Sequence, residues 1–85
     1  LVTDSNELLR LGDKASALLD HETFSHAVMQ MLDELERRIK TSQPEQIDLR
    51  EHSYHRIKAI QDIYTKLNGY ANDAILLRLE MEKKD

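Results

Sequence analysis

From Ile57 to Ala74 the apolar side chains recur at alternating steps of three and four: Ile57, Ile60, Tyr64, Leu67, Ala71 and Ala74. That rhythm gathers all six on one side of an α-helix and cannot be met by a strand, whose faces alternate at every residue. Ile63, Tyr70 and Leu77 widen the stripe. The 85 residues contain one proline, Pro44, and two glycines, so little in the second half of the chain compels a break. The spacing predicts a helix over 48–82, roughly 50 Å long at 1.5 Å per residue.

The first half carries the same rhythm with an interruption. In "TDSNELL" Asp4 and Glu7 have capping-box spacing, and Leu8, Leu11, Ala15 and Leu18 follow as one stripe. Near Leu19–His21 the pattern fails, and Asp20 is placed to cap a second helix whose first turn holds Glu22. Phe24, Ala27, Val28, Met31, Leu35 and Ile39 mark that helix's apolar face. In "TSQPEQIDLRE" the pairs Ser42/Glu45 and Asp48/Glu51 offer two further capping boxes, and Pro44 is tolerated at the start of a helix but not inside one.

The expected fold is therefore all-α: a single helical domain over 1–85 in which an antiparallel helical hairpin has its first arm broken, with helices over 5–19, 22–41 and 48–82. A turn near residue 44 or 45 sets Met31 against Ile57, Val28 against Ile60, Phe24 against Tyr64 and Leu11 against Leu77. Leu35 and Leu67 complete the expected core, and Gly69 falls opposite Leu19–Asp20, where a missing side chain would admit the displaced backbone.

A chain this short buries only about 60% of the surface its unfolded form exposes. With no cysteine to form a disulfide, association is the expected source of further stability. The residues left partly outside the seam are Leu9, Leu32, Ile63 and Tyr70, followed by Ile75, Leu76 and Leu79; they are the expected interface of a homo-oligomeric bundle, either a dimer of hairpins or a ring. No run approaches the roughly 18 apolar residues of a membrane span, and "LVTDSNELLR" lacks the order of a signal peptide. A soluble, cytoplasmic protein is expected, and an opening Leu1 in place of Met suggests a trimmed product.

The net charge of −4 is unevenly spread: −6 over 1–36, +3 over 37–58 and −1 over 59–85. Arg37, Arg38 and Lys40, with Arg50, Arg56 and Lys58, make the middle a basic patch. Tyr54 stands among them as an aromatic able to stack on a partner or a nucleotide. The same region reads "REHSYHR", and two histidines three residues apart beside a carboxylate invite a metal. The expected register supplies each with an acid instead: His55 with Asp33, His52 with Glu36, and His26 with Asp62. No metal, cofactor or catalytic residue is assigned, because the chain lacks a Glu-x-x-His step, a nucleophile elbow and a phosphate-binding loop.

The order "GDKASALLDHETFSHAVMQMLDELE", a short polar turn, then "LREHSYHRIKAIQDIYTKL" resembles a family of small helical-hairpin proteins of tailed bacteriophages, encoded among packaging and head genes. The likeness spans roughly residues 8–74. It rests on Ala15, Leu18, Leu19 and Phe24, on Glu34 or Glu36, on the Arg50–Glu51 pair, and on Ile57, Ile60 and Leu67. It implies a non-enzymatic virion-assembly or adaptor protein, in the host cytoplasm or the virion, that binds itself and another phage or host protein. The alternative is a small terminase-like packaging component that binds nucleic acid through the basic turn region, a reading that net acidity and the lack of helix-turn-helix spacing disfavour.

Overall fold

The structure, a computed structural model, describes residues Asp4 to Lys83; the ends of the expected domain, 1–3 and 84–85, lie outside the described residues. Three helices follow one another: α1 (Ser5–Asp20), α2 (Glu22–Lys40) and α3 (Ile47–Lys83). The described chain is all-α, and its helix ends fall within a residue or so of the spacing-based expectation. Two compact units divide it, one built from α1 and the part of α3 from Tyr64 onward, the other from α2, the turn and α3 up to Ile63.

In the first unit, Asp4 caps α1 by accepting the backbone N–H of Asn6 at 3.1 Å. The other half of the expected capping box is not made, because Glu7 pairs with Arg10 one turn on, at 2.8 Å. The helix ends at Asp20, not before it, and His21 is the one extended residue between α1 and α2, its N–H donating to the carbonyl of Leu18. The contact line on α1 is rotated from the expected stripe. Gly12 and Ala15 are buried, Leu8, Leu11 and Leu19 half-buried, and Leu18 exposed.

The reason lies at Gly12. A Cβ built there would collide with the Ala74 side chain and come within 2.7 Å of the Tyr70 carbonyl oxygen. Only a residue without a side chain lets α3 come this near, and the close approach carries Ala15 and Ala74 into the seam with it. Gly69 does not play the part expected of it: a Cβ there would meet nothing within 4 Å, so no neighbouring backbone occupies that space. Beside the seam Arg78 donates to Asp13 at 2.7 Å. That hydrogen bond, aided by the guanidinium charge and opposed by desolvation, holds the Asp13 carboxyl below its ordinary value.

In the second unit α2 and the first part of α3 form an antiparallel helical hairpin. Glu22 opens α2 and Arg37, Arg38 and Lys40 close it, each sign at the favourable end of the helix dipole. The turn is tied by side chains. The hydroxyls of Thr41 and Ser42 donate back to the carbonyls of Arg37 and Ile39, and the Gln43 N–H donates to Gln46 Oε1 at 2.7 Å. The Gln43/Gln46 pair thus takes the capping role expected of Ser42/Glu45, and α3 starts one residue before Asp48. Arg50 reaches back to Ser42 Oγ and to the carbonyls of Gln43 and Pro44.

The expected core is thinner than its stripe suggested. Leu35 is buried; Phe24, Val28, Ile57, Ile60, Tyr64 and Leu67 are half-buried; Met31 is exposed at 50%. Ser53, absent from the expected core, is the most completely enclosed side chain of the unit. Met31 departs because it lines an open groove shared with Ile60 and has no third helix above it within the unit.

Two glycine substitutions should diverge. Gly12→Ala should cost about 1–3 kcal/mol through overpacking, although alanine is the better helix former. Gly69→Ala should add about 0.5–1 kcal/mol. Urea denaturation followed by circular dichroism measures both, and a stabilised Gly12→Ala chain would contradict the seam. Arg78→Gln should raise the Asp13 pKa toward its ordinary value in an NMR titration. Because the folded pKa is depressed, whatever the pair contributes to stability is present above the ordinary aspartate value and fades as pH falls through the folded one.

Candidate interaction surface

The second unit carries an open groove of about 280 Å³ between α2 and α3. Leu35 is its buried element; Met31, Ala59 and Ile60 add apolar surface. Each wall also brings one arginine, Arg38 from α2 and Arg56 from α3, and Glu34 is the acid among the lining residues. Among the described residues the ion pairs within 4.0 Å are Glu7–Arg10 and Asp13–Arg78, so both groove arginines lack a carboxylate partner. An apolar trough with an unpaired guanidinium on either side is chemically suited to an amphipathic, anionic ligand.

The other members of the basic patch go elsewhere. Arg50 is half-buried and spent on the turn, which removes it from the expected contact set. Arg37 and Lys40 share a shallow depression with Asp33 and Glu36, so acids one turn away dilute their positive field. Lys58 and Tyr54 are exposed, and the Tyr54 ring meets that of His55 edge-on at 6.0 Å. Arg38 thus lines the groove with Arg56 and also lines a second open depression with Glu34 and Arg37.

Among the described residues no group of three or more His, Asp and Glu side chains is arranged to hold a metal. The expected acid partners are not reached either. His55–Asp33, His52–Glu36 and His26–Asp62 form no ion pair, and all six side chains are exposed. On well-solvated helix faces a long reach between side chains gains little and costs rotamer freedom.

Several large apolar side chains have no cover. In the first unit Ile75, Leu76 and Leu79 are exposed at 54%, 59% and 49%, and Leu18 and Met81 are exposed too. In the second, Ile63 is joined by Met29, Ile47 and Leu49. Of the expected interface residues, Leu9, Leu32 and Tyr70 are half-buried instead. Sequence reasoning overlooked Ser53, although Leu49, Ser53, Ile57 and Ile60 continue the helical rhythm and a small polar residue on that line was the available signal.

Among the described residues no helix is long and apolar enough to cross a membrane. Compared with known proteins, the chain matches no family model, no curated protein and no solved structure. Equilibrium dialysis against zinc, followed by elemental analysis, should find less than one metal per chain. His52→Ala should leave the helical circular dichroism unchanged, whereas one tightly held ion per chain would reveal a site assembled from more than one copy.

Proposed function

We propose that this chain is a non-enzymatic helical interaction module that works as a homo-oligomer. One observation carries the reading: among the described residues the buried apolar side chains are Ala15, Leu35 and Ala74, while eleven large apolar residues remain exposed. Covering those side chains with a second copy supplies the core that two helices alone do not.

Within that reading, the resemblance to small helical-hairpin proteins of tailed bacteriophages supports a role in virion assembly or as an adaptor, in the host cytoplasm or the virion, with a phage or host protein as second partner. Nucleic-acid binding is the weaker choice, because Arg50 is engaged in the turn and Arg37 and Lys40 sit among acids.

Sedimentation equilibrium at micromolar concentration should return a mass of at least two chains, unchanged by added duplex DNA. A concentration-independent monomer would overturn self-association, and a mass that rises with DNA would favour the packaging role.

A further inference from the structure

Resting on the self-associating reading above, we infer that the groove between α2 and α3 is the seat for the end of α3, Ile75 to Lys83, of a second copy. The groove offers an apolar line through Leu35, Met31 and Ile60, flanked by Arg38 on one wall and Arg56 on the other. Among the described residues neither arginine has an acidic partner. The end of α3 carries the complementary set. Ile75, Leu76 and Leu79 are exposed, and Glu80, Glu82 and Lys83 beside them are exposed and unpaired.

Helical geometry places those charges suitably. At about 100° per residue, Ile75, Leu76 and Leu79 fall within one sector, Glu82 lies about 60° to one side of Leu79, and Glu80 about 100° to the other. A helix laid in the groove by its apolar sector therefore turns one acid toward each wall. Lys83 falls inside the apolar sector, between Leu79 and Leu76, so its ammonium enters the groove with them, where Glu34 is the acid among the lining residues. The groove presents two positive charges and one negative, and the segment presents the reverse. Arg78, the remaining cation of the segment, is held by Asp13.

Charge complementarity of this kind fixes partner and register, and like charges brought together at such a contact are costly. Seat and occupant are different surfaces, so two copies either exchange ends in a closed pair or follow one another around a ring.

The test is reversal and rescue in the full chain, read by sedimentation equilibrium with helicity checked by circular dichroism. Arg38→Glu with Arg56→Glu should weaken self-association at least about tenfold, as should Glu80→Arg with Glu82→Arg; combining all four should restore it to within about threefold. An oligomer indifferent to both reversals, or not restored by the combination, overturns this inference and leaves self-association standing. Loss with the groove variant alone means the groove takes a different acidic helix, which also overturns the stated occupant. A wild-type chain that is monomeric throughout removes both readings.

Discussion

Two helices in contact can enclose only the side chains along their shared line. Each unit of this chain is such a pair, so the number of residues it can bury is set before any particular residue is chosen. In the second unit one leucine and one serine are buried. Among the described residues of the first, the buried ones are a glycine and two alanines. The exposed isoleucines, leucines and methionines are therefore the normal remainder of a two-helix contact, and they become the material from which any further assembly is made.

The two pairs reach contact by different means. Gly12 and Ala74 bring backbones together, so the gain there comes from close dispersion contacts and not from a large apolar area. In the second unit the seam is wider, held by Leu35 and the half-buried Ile57 and Ile60, and it opens on one side as a groove. Small residues seal a seam and large ones leave relief on it. Relief is what a partner can recognise, which is why the candidate surface lies beside Leu35 and not beside Gly12.

Much of the helical layout was legible because it depends on local rules. Pro44, the polar turn and the three-four rhythm delimit helices with little help from tertiary contacts, and Ile47–Lys83 lies close to the expected 48–82. Choices among equivalent local options were less legible. The turn offers Ser42/Glu45 and Asp48/Glu51 as capping pairs, and the pair that forms, Gln43/Gln46, is neither. Gly12 and Gly69 look alike in sequence, yet only a packed neighbour distinguishes a required glycine from a tolerated one. The pairing of Arg38 with Arg56 in one groove likewise needs two helices side by side. Their shared basic composition was visible, but the engagement of Arg50 in the turn was not.

The turn between α2 and α3 combines high exposure with strict length. Arg50 holds three oxygens from three consecutive residues, Ser42, Gln43 and Pro44, in the fork of one guanidinium. A lysine has a single ammonium and cannot span that set, and a guanidinium stays charged at any pH the protein will meet. An inserted residue would shift the acceptors relative to the fork. A solvent-facing loop of this kind is ordinarily where a chain accepts tags, insertions or new termini. Here that freedom is lost, and an added segment is better attached elsewhere than in the bend that looks most permissive.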